Sequence, residues 1–304
     1  MMFNHIIKVP ASSTNLGAGF DSLGLALNLH LEIQVEESTT KGIKINMTGE
    51  GSNELKDVRE NLIWKVLQNV FIGEKKTVPN IEISVCNQIP LARGLGSSAA
   101  AIVGGLGIFE AITGQELTQE KFFRYALVLE DHPDNLCAAR FGGFTVSCTS
   151  DVGQVSFIQL KIGNPIKILL VVPDIQLPTS QSREVLPNNL GIDDIIFNIQ
   201  HATLTVAAMT SGQFQFLRES LSDKLHQPYR SSLVPGLKEV LKLHLENIPG
   251  LLGMSLSGAG PSVLCFLDGK SKKIFHQIEG IFNKQGINCK SFELQIDYFG
   301  RTIK

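Results

Sequence analysis

No apolar run in this chain of 304 residues approaches the ~18 that a membrane span requires. The opening residues Met1 to Lys8 hold no long apolar stretch, so no secretory signal is expected there. Charge of one sign is missing too. The 27 Lys and Arg against 29 Asp and Glu leave a net −2, which excludes a strong field for nucleic acid or an anionic membrane. The cysteines are few, odd in number and without a C-x-x-C pair: Cys86, Cys137, Cys148, Cys265 and Cys289. Such usage fits a reduced compartment rather than a disulfide scaffold. Seven histidines without paired ligand spacing argue against a zinc site. Repeats, low-complexity segments and heptads are absent. What remains is a cytoplasmic chain, 43% hydrophobic and long enough for about two cores, with no nucleic-acid or membrane partner expected.

What is present is glycine in the right places. Pro90-Leu91-Ala92-Arg93-Gly94-Leu95-Gly96-Ser97-Ser98-Ala99-Ala100 follows a strand-like run, Ile81 to Val85, and leads into a helix over 97–112. Glycines let the backbone approach a ligand, and a helix N-terminus offers unpaired N–H groups and a partial positive charge. One reading of this stretch is a glycine-rich turn into a small-residue helix. A Rossmann fingerprint fails, because Glu110 lies within the same helix instead of ending a second strand. A Walker A loop fails for want of Gly-Lys-Ser/Thr. A phosphate loop of another kind survives.

Other elements follow from pattern. Strands are expected at 3–9, 29–36, 43–47, 81–85, 144–148, 166–172, 251–256, 262–267 and 289–296, with 10–21 as a loop. Helices are expected at 61–72, 97–112, 118–130 (capped by Thr118), 192–220, 234–245 and 272–284, with a short one to Arg140 capped by Asp134 or Asn135. The boundary is placed at 160/161, and the second half has the strand order of a ferredoxin-like unit.

Two further clusters carry chemistry. Ser257-Gly258-Ala259-Gly260-Pro261-Ser262 is a second glycine-rich loop. Glu130-Asp131-His132-Pro133-Asp134-Asn135 gathers three carboxylates and an imidazole. It reads either as a solvated helix end or as a Mg²⁺ and substrate site, since Mg²⁺ takes one or two protein oxygens beside phosphate and water.

These loops, with Pro10 to Asp21, resemble the kinases named for galactokinase, homoserine kinase, mevalonate kinase and phosphomevalonate kinase. Pro90–Ala100 is similar to their phosphate motif and 257–262 to their third motif. The resemblance narrows to the homoserine kinase branch through 10–21, His132–Asn135 with Phe141-Gly142-Gly143, Ser182–Pro187 and His226–Pro235. It implies an α+β fold of two domains. Residues 1–160 would form an ATP-binding, ribosomal-protein-like domain with a left-handed βαβ crossover, and 161–304 a ferredoxin-like sandwich. It implies transfer from ATP to the terminal hydroxyl of L-homoserine, in threonine biosynthesis. Pro90–Ala100 would cradle the phosphates, with Asn61 either contacting adenine or capping its helix, or both. Ser98 and Glu130 would hold Mg²⁺. Arg183 and Arg230 suit the homoserine carboxylate. Asn15 and Asp21, with Asp134, suit its ammonium; His132, Asn135 and Gly258 lie beside the same substrate. No general base is implied, and Asp134 is the rival candidate to phosphate or water as proton acceptor. Ser98, Glu130, Asp134 and Asn135 are the catalytic candidates, and a homodimer is the expected assembly. A sister kinase for mevalonate or a sugar, and a non-catalytic relative, are the competing functions.

Overall fold

The structure is a computed structural model that describes residues 3–52 and 59–304. Eleven strands and ten α-helices are present among them. Strands β1 (Asn4–Thr14), β2 (Leu23–Glu37), β3 (Ile43–Gly49), β4 (Ile81–Asn87), β5 (Phe144–Thr149), β6 (Val155–Leu160) and β11 (Thr302–Ile303) form one seven-stranded sheet. Strands β7 (Lys167–Pro173), β8 (Leu251–Leu256), β9 (Val263–Leu267) and β10 (Cys289–Leu294) form a second sheet, in the antiparallel order β10-β7-β9-β8. That order is the ferredoxin-like one, first strand between fourth and third. Residues 161–166 join the two sheets, and β11 carries the chain end back to β1 of the first.

In the first sheet only β3 and β4 pair in parallel, and helix α1 (Leu62–Gly73) crosses between them. Helix α2 (Ser97–Thr113) is apolar all round and buried along most of its length, as such helices must be. Glycine makes its close fit: a Cβ on Gly104 would lie 2.5 Å from Ile33 Cδ1, and one on Gly105 2.8 Å from Val66. Helices α3 (Gln119–Ala126) and α4 (Pro133–Phe141) complete this layer.

The second sheet explains the unbroken apolar run at 168–172. It is buried on both faces, so successive side chains enter different cores. Leu169 and Val171 join Val263, Cys265, Ile278 and Phe282, while Ile168, Leu170 and Val172 join the core of the first sheet with Leu264 and Phe266. Helices α9 (Leu237–Lys242) and α10 (Lys272–Lys284) cover the outer face. Helices α5 (Thr179–Glu184), α6 (Ile192–Ser211), α7 (Leu217–Ser220) and α8 (Gln227–Arg230) occupy the long connection before β8.

Several boundaries differ from those expected. The 10–21 loop is shorter: β1 runs through a bulge at Pro10/Ala11 to Thr14, and β2 starts at Leu23. Small polar residues read as loop there, yet Ser12, Ser13 and Thr14 are buried and hydrogen-bonded. The helix capped by Thr118 stops at Ala126, four residues short. Neither Asp134 nor Asn135 caps α4; His132 holds the N-cap position, Pro133 opens the helix, and Asp134 Oδ1 accepts from its neighbour Asn135 N at 2.7 Å. The helices expected over 192–220 divide at Gly212, which adopts φ 72°. The 234–245 helix is α-helical only over Leu237–Lys242. Strands β6 and β11 and helix α5 had no clear pattern.

Candidate active site

The phosphate-type loop is held in shape by conformations few side chains allow. Ala92, Gly94 and Gly96 have φ of 52°, 71° and 65°. A Cβ on Gly94 would fall 2.0 Å from Ser257 O, and one on Gly96 2.0 Å from Ser12 Oγ, so glycine is required at both. Gly96 stands at the N-cap of α2 without a side-chain cap, and the first intrahelical bond runs from Ala100 N to Gly96 O. The first turn therefore presents its amides, with the exposed Ser98 hydroxyl, to the cleft. Arg93 is turned to the Leu91 carbonyl and to Asp174 at 2.9 Å.

Three loops are pinned together at this point. Ser12 N donates to Leu95 O, and Ser257 Oγ donates to Gly94 O at 2.8 Å. Gly258 N donates to Thr14 O, and Asn15 Nδ2 donates to Gly258 O at 2.9 Å. Asn135 accepts from Ser12 Oγ at 2.8 Å and donates to Thr14 Oγ1 at 3.2 Å. The resulting cleft lies between the two sheets and is lined by residues of all three loops together with Glu130, His132, Arg183 and Arg230.

One wall is acidic. Burial first, then the charges of Asp134 and Asp131, push Glu130 up to about 7. Burial, then the Asp21 charge, pushes Asp134 up to about 7 against hydrogen bonds from Asn135 N and Thr14. Burial holds His132 below its ordinary range although Asp21 Oδ2 lies 3.4 Å away.

The opposite wall is cationic. Arg183 Nη2 donates to Asp21 Oδ1 at 2.7 Å. Arg230 is only 1% exposed and donates to Ser182 O at 3.0 Å and to Gly258 O at 3.1 Å. Its third neighbour is His226 Nδ1 at 3.4 Å. His226 Nε2 lies 2.8 Å from Gly17 O, which requires the Nε2–H tautomer and leaves Nδ1 as an acceptor. Among the described residues no carboxylate lies within ion-pair distance of Arg230. Burial, then the Arg183 charge, lowers it to about 10.

The cleft brings together Ser98, Glu130, Asp134 and Asn135, then Asn15, Asp21, His132, Arg183, Arg230 and Gly258, and from the loop Pro90 and 92–97. It leaves out Leu91, Ala99 and Ala100, whose side chains pack elsewhere, and Asn61. Asn61 is buried and caps α1, accepting from Ile63 N at 2.9 Å, while its amide nitrogen faces Met47 Sδ. The helix-cap reading accounts for these contacts. Residues not anticipated are Phe20, His226, Ser12, Thr14 and Thr179. Phe20 and His226 stood inside motifs already singled out, but no local signal gave them a role.

A glycine-built phosphate loop beside a ferredoxin-like unit defines a small-molecule kinase of the GHMP class. Residues 61–143 match the GHMP kinases N terminal domain and residues 206–284 the GHMP kinases C terminal family. The chain is 38% identical to the homoserine kinase of Solibacter usitatus over 92% of its length and 90% of that protein. It is 37% identical to the homoserine kinase of Moorella thermoacetica, over 95% of its length and 96% of the relative. Within the GHMP kinases, the chain belongs to the homoserine kinase family. Its fold matches a solved homoserine kinase from Cytophaga hutchinsonii at TM-score 0.86 and 24% identity, covering 99% and 97% of the two chains. A mevalonate kinase structure shares the fold at TM-score 0.68 and 17% identity, covering 96% and 99%.

Proposed function

We infer that the chain transfers the γ-phosphoryl group of ATP to the terminal hydroxyl of L-homoserine. The observation that supports the acceptor is Arg230, a buried guanidinium with no carboxylate at ion-pair distance among the described residues, facing a cleft that also holds Arg183. Burying a charge without a counter-ion is costly, and a substrate carboxylate would relieve it. Asp21 and Asn15 lie beside it, where the ammonium of an amino acid would sit. Asn15 is already engaged by Gly258 O and Asp21 N, so its part is to hold that wall in place.

The loop amides and the α2 N-terminus suit the ATP phosphates. The donor set, one carboxylate and one exposed hydroxyl, suits Mg²⁺, which completes its shell with phosphate and water. Ser98 and Glu130 would hold it, and the bound ion would neutralise charge on the transferring group. Asn135, fixed by Ser12 and Thr14, orients the acceptor end of the site. Asp134, buried in the cleft and pushed up to about 7, stands as the rival proton acceptor to phosphate or water.

Five free cysteines suit a reduced cytoplasmic setting, and O-phospho-L-homoserine would feed threonine biosynthesis. No helix among the described residues is long and apolar enough to cross a membrane. A homodimer is part of the same reading. Helix α6 exposes Ile192, Ile195, Ile196 and Ile199, and carries no Asp, Glu, Lys or Arg from Ile195 to Ser211, a face a second copy would cover. A coupled ADP-release assay with homoserine, mevalonate and galactose tests the function. Turnover of homoserine alone is expected; turnover of another substrate with homoserine inert would refute it.

A further inference from the structure

We propose that Phe20 is a positioning residue that aims both guanidiniums of the cationic wall at the substrate carboxylate. The inference rests on the reading of Arg183 and Arg230 as carboxylate ligands. The Phe20 ring lies under both: Arg183 Cζ is 5.2 Å from its centroid and Arg230 Cζ 5.1 Å. The His226 ring, which accepts from Arg230, is 5.3 Å away and tilted by 32°. One half-buried ring thus touches three members of the wall, and the next residue, Asp21, holds Arg183.

The loop that carries Phe20 is firmly placed. Asn15, Leu16, Gly17 and Asp21 have positive φ, Asp21 N donates to Asn15 Oδ1 at 3.0 Å, and Gly17 O receives His226 Nε2. A Cβ on Gly17 would lie 2.3 Å from Leu221 O, so the loop sits directly against the second half of the chain. Arg183, by contrast, is loosely anchored. Its Nε is buried without a hydrogen-bond partner, and Asp21 and the Phe20 face are what orient its guanidinium.

The chemistry explains why an aromatic ring serves here. Two guanidiniums close together repel each other. Asp21 already answers Arg183, and a carboxylate bonded to Arg230 as well would compete with the carboxylate of the substrate. An aliphatic side chain would leave both charges against a surface that offers nothing. The negative face of an aromatic ring attracts both cations and carries no net charge, so their pull on an incoming anion is kept.

The test is steady-state kinetics on the full chain with Phe20→Leu, Phe20→Tyr and wild type, varying homoserine and ATP separately. Phe20→Leu is expected to raise KM for homoserine roughly 10- to 30-fold, with kcat within about threefold and KM for ATP within about twofold. Phe20→Tyr restores the ring and should return KM for homoserine to within about threefold of wild type. A homoserine KM unchanged in Phe20→Leu overturns the proposal. So does a rise in both KM values together, or a rise that the tyrosine does not rescue, since these mark a merely structural role. If the leucine variant does not fold, Phe20→Met is read by the same criteria. Failure of the wild type to turn over homoserine would instead remove the underlying assignment, so the two failures are separable.

Discussion

Two buried arginines sit in very different company. Arg301, near the chain end, is 6% exposed and pairs with Glu110 of α2, which also accepts from Leu117 N and has Arg140 at 3.9 Å. Arg230 is buried more deeply still, yet carbonyls and an imidazole are its partners. Burial lowers both to about 10. The first charge is answered within the fold and ties β11 to α2. The second is met at hydrogen-bond distance by carbonyls and an imidazole, with Asp21, Asp223 and Asp134 acting on it only from beyond ion-pair range. Burial alone does not set the two apart; the distance to a carboxylate does, at hydrogen-bond range for Arg301 and beyond ion-pair range for Arg230.

The sharpest way to break this comparison is Arg301→Met. It strands Glu110 as a buried, poorly paired carboxylate and should cost about 3–5 kcal/mol in urea unfolding, with both KM values unchanged. A loss below about 1 kcal/mol would erase the distinction from the structural side. Arg230→Met should do the reverse. Its kcat/KM for homoserine is expected to fall roughly 10²–10³-fold, about 3–4 kcal/mol, with KM for ATP unchanged, while the loss in urea unfolding stays below that of Arg301→Met because removal of the buried charge offsets the carbonyls left without a donor. A change under about threefold would place Arg230 with Arg301.

The acidic wall gives two finer tests. Asp134→Asn should lower kcat by roughly 10² with KM for homoserine unaltered if that carboxyl accepts the proton. An unaffected kcat returns the role to phosphate or water. Glu130, pushed from an ordinary 4.5 to about 7, must lose its proton to hold a cation. Half-saturation by Mg²⁺ should therefore tighten up to about tenfold per pH unit as pH rises toward 7, and Glu130→Gln should flatten this dependence. The sign reverses without ligand. The folded carboxyl keeps its proton longer than the unfolded one, so thermal stability of the free enzyme should fall as pH rises from about 4.5 to about 7. An unchanged Mg²⁺ titration in Glu130→Gln removes Glu130 from the metal shell.

Much of the phosphate side was legible in order along the chain. Gly94, Gly96, Ser97 and Ser98 are contiguous, and their chemistry is that of the backbone, so spacing alone carries the signal. The ferredoxin-like order was readable for a similar reason, since helical segments separate β7 from β8, the second glycine-rich loop separates β8 from β9, and the amphipathic α10 separates β9 from β10. The cationic wall was not readable from pattern. Asp21, Arg183 and Arg230 are far apart in sequence, each is an ordinary surface residue type, and only the resemblance joined them. Strand β6 escaped because Val155 alone of its residues is buried, so no alternation marks it. Strand β11 is two residues long, and its partner lies nearly three hundred residues away.

The sequence by itself determined where glycine stands ahead of a small-residue helix, and that the glycine-rich loop there lacks a Walker lysine. These depend on allowed φ values and on hydrophobic periodicity, which act between near neighbours. Only the tertiary structure decided which arginine has a carboxylate at hand, that burial pushes the Glu130 and Asp134 carboxyls up to about 7, and that Phe20 lies under two guanidiniums. Those properties come from desolvation and from charges brought together by distant segments, and no local window of residues contains them.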